Sequence, residues 1–452
     1  MDEKTLHYGP KTDAYYERLR KVFLWPTGDE SRPVLSFGKG ARVTDIDGNL
    51  FSDYSSQVGV INTGQCPEKV ISAVIEQMKY LTGVLTNDWQ WRCQHENGYL
   101  AGQEVSPLRL AEELVRMAPI PCPQMVFPEV SGATSVDASG YIALASFLKE
   151  LARDPERKKF AAFHGAFHGR HGLAKDISSS KSIHKLLHVQ GYDVARLPFP
   201  VRGTPGLGIY HGYMDQVRAI LDSEDYKDRI AALFVEVVQG EGGVNIADFK
   251  AMSMIYREAE LRGIRFIVDE IQTGFGRTGK MFASDYLSFN PDAIILSKAL
   301  GAGFPIGAVV TRTDILPNGF PHGAHSGTLG WAPVSVAAAL ANIQMIMEEK
   351  LVENARLMGG YLLERLKKVF WKNKFGRETV ERIDGLGLMI GVHFYFGKFA
   401  EQVVRAAAAQ KPGLILIGAG INTIRFMPPL TVTQAEIDAD MEVLKRALDT
   451  LS

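Results

Sequence analysis

Phe266-Ile-Val-Asp269-Glu270-Ile-Gln272-Thr-Gly-Phe-Gly-Arg-Thr-Gly-Lys280 and, a little further on, Pro291-Asp-Ala-Ile-Ile-Leu-Ser-Lys298-Ala-Leu-Gly-Ala-Gly303 decide how this chain folds. Each contains an apolar run of strand length, 264–269 in one and 293–298 in the other, and each run ends in an ionisable group. Continuous apolar runs suit strands buried on both faces of a parallel sheet. In an open α/β sheet, ligands bind beyond the carboxyl ends of the strands. Asp269 and Lys298 are therefore expected at one crevice. Singly, a strand-end lysine is more often a solvated charge, and an Asp-Glu pair more often a turn or a helix cap. On successive strands the two together point to chemistry. An amine that forms a Schiff base with an aldehyde, and an anion that keeps a pyridine nitrogen protonated, are what pyridoxal 5′-phosphate requires.

Working outward, the 452 residues suffice for a large domain and a smaller one. A hydrophobic share of 46% and a charged share of 22% suit an ordinary soluble globular protein. Lys plus Arg total 50 and Asp plus Glu 51, so no basic field invites nucleic acid or an acidic membrane. Cys66, Cys93 and Cys122 include no CxxC pair, which argues against a disulfide framework and a cysteine-built metal site. Residues 1–10 lack the apolar core of a signal peptide, and no apolar stretch reaches membrane-spanning length. A cytoplasmic setting is expected.

Asp47-Gly48-Asn49 marks a tight hairpin within 34–57. Residues 69–81 follow helical spacing, with Val70, Ile71, Val74, Ile75, Met78 and Leu81 on one face. Segment 82–107 reads as a long loop, and Ser106-Pro107 opens a helix over 108–117. From 124 onward, strands at 124–130, 160–163, 231–238, 266–269, 293–297 and 307–311 alternate with helices such as 134–152 and 249–262. This predicts an α/β fold with a mostly parallel sheet covered on both faces. A helix over 333–350 leads to a tail of helix (351–368), strand (384–394), helix (400–409), strands (413–427) and a final helix opened by the capping box Thr433-Gln-Ala-Glu436.

Other candidate site residues lie at strand ends. Ser131-Gly132-Ala133 precedes a helix whose first N–H groups suit a phosphate, although an ordinary Ser cap looks the same. Phe167-His168-Gly169-Arg170 offers an aromatic face and a cation, and the second copy is preferred over Phe163-His164-Gly165 because of Arg170. Glu236 and Glu241 end the run 231–238. Arg425, set among apolar residues, needs an anion: a substrate carboxylate or a structural partner. Residues 274–279 spell GxGxxG, but they neither follow a strand directly nor open a long helix, so dinucleotide binding by an oxidoreductase is disfavoured; a tightly folded active-site loop is the better account, with a plain structural turn as the alternative.

With these motifs in hand, the chain over about 40–450 resembles the class III (omega) aminotransferases of the fold-type I pyridoxal-phosphate enzymes. The resemblance implies a seven-stranded sheet in a large domain (61–330). It also implies a small domain built from 1–60 and 331–452, and a homodimer with shared active sites. It assigns catalysis to Lys298 and Asp269, ring stacking to Phe167 and His168, and phosphate binding to Ser131, Gly132 and Ala133. Glu236 becomes a supporting acid, Gln272 a neighbour of the cofactor's 3-hydroxyl, and Thr328 a contact to the neighbouring subunit's phosphate. Arg425 would grip the α-carboxylate of a 2-oxo acid, with Glu241 as its gate. Arg170 would meet a distal carboxylate, and Val58 would belong to the N-terminal pocket segment. The implied reaction moves an amino group from an omega-amine or omega-amino acid to 2-oxoglutarate or pyruvate, with racemases and decarboxylases as alternatives on the same scaffold. The chain departs from the family pattern at Ala133, Thr134, Tyr141, Val237 and Gln65, and segment 82–107 is longer than usual.

Overall fold

The computed structural model describes residues 8–22, 32–84, 86, 89–121, 123–147, 156–181, 191–203, 210–316, 319–321 and 323–451. The central sheet contains β1 (Gln124–Glu129), β2 (Lys159–Phe163), β3 (Val194–Leu197), β4 (Ile230–Val235), β5 (Arg265–Asp269), β6 (Ala293–Leu296) and β7 (Gly307–Arg312). Its seven strands lie in the order β1-β7-β6-β5-β4-β2-β3. β5 runs parallel to β4 and β6, and β2 runs parallel to β3 and β4. Only β7 opposes its neighbours.

The period of two explains why these strands are apolar throughout. Ile294 and Leu296 join one core with Met252 and Ile255 of the helix Phe249–Leu261. Ala293 and Ile295 join the opposite core with Val136 and Ile142 of the helix Gly132–Ala145. Both faces are thus covered. No described helix is long and apolar enough to cross a membrane.

Two smaller sheets flank this one. Leu35–Lys39, Arg42–Asp45 and Leu50–Asp53 form an antiparallel meander, joined on its far edge by Gly413–Ile415 in parallel. The other sheet orders Val380–Leu386, Met389–Phe394, Thr423–Phe426 and Ile417–Ala419, all antiparallel.

Several expectations change in detail. The strand expected over 384–394 is a hairpin of two, because Gly387 turns at φ 52°. The helix expected over 134–152 spans Gly132–Ala145, and 148–155 lie outside the described residues, as does Cys122. Segment 82–107 contains a short antiparallel pair, Cys93–Gln94 with Glu104–Val105. The helix Glu68–Gln77 buries Val70 and Val74 but leaves Ile71 and Ile75 exposed.

Candidate active site

The parallel register sets Asp269 beside Ile295, so β5 and β6 end at the same edge. Asp269 is buried there. His168 Nδ1 donates to its Oδ2 (2.7 Å) and the Ile271 N–H to its Oδ1 (2.9 Å), which fixes the plane of the carboxylate. Lys298 opens a 3₁₀ turn, Lys298–Gly301, with φ at 42°. A non-glycine residue held at positive φ marks local strain, which surrounding structure must over-determine. Ser297 Oγ, bonded to the Ile306 carbonyl at 2.7 Å, anchors this turn. Lys298 and Asp269 line one cavity of about 200 Å³. Burial pushes the Lys298 amine down to about 8, with Glu241 opposing that shift and Arg425 adding to it.

Ser131 caps the helix Gly132–Ala145, its hydroxyl accepting from the Thr134 N–H at 3.3 Å. Thr134, where the family pattern is usually acidic, closes the box by accepting from the Ser131 N–H at 3.1 Å. Gly132 and Ala133 line the cavity. First-turn N–H groups have no intrahelical acceptor and favour an anion. A Cβ on Gly132 would lie 2.9 Å from Ile271 Cδ1, so glycine is what lets the helix approach this close.

Phe167, His168 and Glu236 line the same space. Glu236 accepts from the N–H groups of Phe167 (2.9 Å) and Gly240 (3.2 Å), which ties the Phe167 loop to the end of β4. Burial pushes its carboxyl up to about 7, and nearby Asp269 adds to that push against His168.

Arg425 is fully buried on the strand Thr423–Phe426. Its guanidinium bonds Glu241 Oε1 (2.6 Å) and Gln272 Oε1 (3.1 Å). Gln272 reaches onward to the Val58 carbonyl at 3.4 Å. Burial alone raises the Glu241 carboxyl, but Arg425, Lys298 and Lys181 outweigh it and leave the group below its ordinary value. Val58 sits in a run of positive φ: Ser56 at 45°, Gln57 at 52°, Val58 at 64° and Gly59 at 79°. This is one left-handed turn, rare for L-residues and costly per residue.

Arg170, Thr328 and Val58 line no part of the cavity, and Val58 lines a separate one with Gln57 and Gly418. Arg170 is exposed, its guanidinium 6.0 Å from the Phe167 ring centre. Thr328 is exposed in a turn tethered by His325, whose Nε2 bonds the buried Glu129 carboxylate at 2.8 Å. Tyr141 stacks on the same imidazole, at 4.9 Å between ring centres. The glycines of 274–279 line no part of the cavity. Arg277 from that motif is buried and donates to the carbonyls of Leu388 and Pro428 and to Asn62 Oδ1. Ile271 and Val238 also line the cavity, and apolar character made them read as core.

The fold is that of the fold-type I transaminases. The solved transaminase from the marine bacterium Virgibacillus superposes with a TM-score of 0.84, covering 97% of this chain and 99% of that one at 24% identity. The model of the family "Aminotransferase class-III" matches residues 28–448, and the chain belongs to that family. An acetylornithine aminotransferase of Archaeoglobus fulgidus is 32% identical over 430 residues, 95% of this chain and 99% of its own length. An alanine/serine racemase of Pyrococcus horikoshii is 31% identical over 468 residues, 98% of this chain and 92% of its own. The protein is thus a pyridoxal-phosphate enzyme of the class III aminotransferases. The residues fit that cofactor: a helix start cleared by Gly132 for the phosphate, a doubly anchored Asp269 for the ring nitrogen and Lys298 for the aldehyde, around one cavity.

Proposed function

We propose that the protein transfers an amino group from an omega-amine or omega-amino acid to a 2-oxo acid, 2-oxoglutarate or pyruvate. One observation carries this: the Arg425–Glu241 pair stands beside the cavity that Glu241 lines with Lys298 and Asp269. With Glu241 in place, the pocket takes a donor that brings no α-carboxylate. With Glu241 displaced, Arg425 grips the oxo acid bidentately. An omega-amino acid donor also suits the name of the Archaeoglobus relative.

The cofactor supplies an electron sink for the carbon that loses a proton. Lys298 Nζ would take that proton from the amine-bearing carbon of the substrate and hold it for return. Asp269, oriented by His168, would hold the ring nitrogen as its anionic partner. Phe167 and His168 would flank the ring, and Glu236 holds the Phe167 loop in place. Gln272 would orient the 3-hydroxyl, and Ser131, Gly132 and Ala133 would bind the phosphate. Val58, whose carbonyl accepts from Gln272, would wall the donor pocket, and Arg170, exposed beside Phe167, would meet a distal carboxylate reaching out of the cavity. Thr328 serves the phosphate of a second copy, in a homodimer with shared sites. Its exposed position and the uncovered Ile71, Ile75 and Met78 support that assembly. The sheet that joins residues 35–53 to 413–415 supports a small domain of 1–60 with 331–452, set against a large domain of 61–330.

The test is incubation of holoenzyme with omega-amines and 2-oxoglutarate. Glutamate is the expected product, and donor alone should convert the bound cofactor to its pyridoxamine form. The racemase name of the Pyrococcus relative supports a second reading. Appearance of the opposite enantiomer of an amino acid, with no oxo acid added, would establish it instead; released CO₂ would mean decarboxylation.

A further inference from the structure

Glu241 touches two cations. Its Oε1 lies 2.6 Å from buried Arg425, and its Oε2 lies 3.8 Å from Lys181 Nζ. The two cations differ in setting: the Arg425 side chain is 1% exposed, the Lys181 side chain 39% and Glu241 itself 15%. A substrate carboxylate reaches Arg425 only by taking the place of Glu241 Oε1. The released glutamate is then a largely enclosed charge, and such a charge needs a partner or water. Its backbone offers no escape, because the Glu241 carbonyl accepts from the Gly420 N–H at 2.7 Å. The exchange is therefore a rotation of the side chain.

Lys181 stands where that rotation leads. It follows Ser178 and Ser179, whose hydroxyls accept from the N–H groups of His168 (2.8 Å) and Gly165 (3.1 Å). Those bonds tie the start of its segment to the loop that carries Phe167.

Resting on the transfer reading above, we infer that Lys181 is a positioning residue that receives Glu241 whenever a substrate carboxylate occupies Arg425. The gate then exchanges one cation for another instead of stranding a charge. No motif singles out Lys181; its role arises only where the chain folds it against the end of β4.

The test compares wild type with Lys181→Met and Lys181→Arg as holoenzymes. Calorimetric titration with glutarate, an unreactive dicarboxylate, reads the carboxylate side without turnover. Lys181→Met should weaken glutarate binding about fivefold, the scale of a partly exposed ion pair, and Lys181→Arg should restore it. The KM for 2-oxoglutarate should rise by a similar factor, while the KM for an amine without an α-carboxylate changes less than about twofold. Equal glutarate affinity in wild type and Lys181→Met overturns the inference, as does an equal loss on the amine and carboxylate sides. Wild type that binds glutarate but forms no glutamate overturns the transfer reading alone, since glutarate affinity still decides the role of Lys181.

Discussion

Asp269 and Glu270 are neighbouring carboxylates with opposite destinations. Successive strand residues point to opposite sides, so only one of them faces the cavity. Asp269 meets His168, while Glu270 is buried and accepts from Thr273, Ala283 and Ser284 to shape the following loop. The sequence reading assigns Asp269 to the site, and the structure sets Asp269 in the cavity and Glu270 outside it. Asp269→Asn should lower turnover by at least about 10²-fold, because the fixed anion at the ring nitrogen is gone. Steady-state kinetics checks this, and near-normal turnover would refute the assigned role. Lys298 carries a pH prediction. Its amine is pushed down to about 8 by burial, and only the unprotonated form attacks an aldehyde. The rate at which apoenzyme takes up pyridoxal phosphate should therefore climb with pH up to about 8 and level off above it. Stopped-flow absorbance across that range is the measurement.

At the level of elements, the central strands were legible because burial on both faces leaves a continuous apolar signature. Their capping signals were legible too: Ser106, Ser131 and Thr433 all cap helices as their sequence positions suggest. The hairpin at 380–394 was not, since glycine at 385 and 387 interrupts an apolar stretch without announcing a turn. Nor was the left-handed turn at 56–59, where Ser, Gln and Val carry no preference for positive φ. Tertiary contacts impose it, among them the bond from Gln272 to the Val58 carbonyl. Gly240, directly after the short strand Val238–Gln239, offers a test of how tightly these elements meet. A Cβ there would fall 1.8 Å from Gln272 Oε1. Gly240→Ala should displace Gln272 from Arg425 and raise the KM for the oxo acid at least about tenfold, a small misplacement having a large kinetic effect. An unchanged KM would show that the Gln272–Arg425 contact is dispensable.

For the molecule as a whole, the glycine-rich stretch at 274–279 is a joint. Arg277 gathers Asn62, Leu388 and Pro428, which come from three distant parts of the chain, at 2.7, 2.9 and 2.6 Å. Gly387 lies so close that a Cβ would meet the Thr278 carbonyl carbon at 2.3 Å. The motif's spacing imitates a dinucleotide loop and suggests an active-site loop, but its glycines lie outside the cavity and its packing is that of the structural alternative. Arg277→Met should cost about 3–5 kcal/mol of stability, since three buried acceptors lose their donor. Urea unfolding measures this, and a midpoint equal to wild type would deny the joint its importance. Residues from 132 to 298 line one cavity although they are scattered along the sequence, and Arg425 joins it through Glu241 and Gln272. Family resemblance made that convergence legible where periodicity alone did not.

The parallel pairing of Leu50–Asp53 with Gly413–Ile415 has a consequence for biosynthesis. On the ribosome the meander emerges early, but the strand that completes its edge arrives several hundred residues later. Until then the nascent chain carries an open β-edge, the kind of surface that invites mispairing. Emergence of residues 413–415, rather than of the N-terminal half, is the moment at which this part of the protein can close.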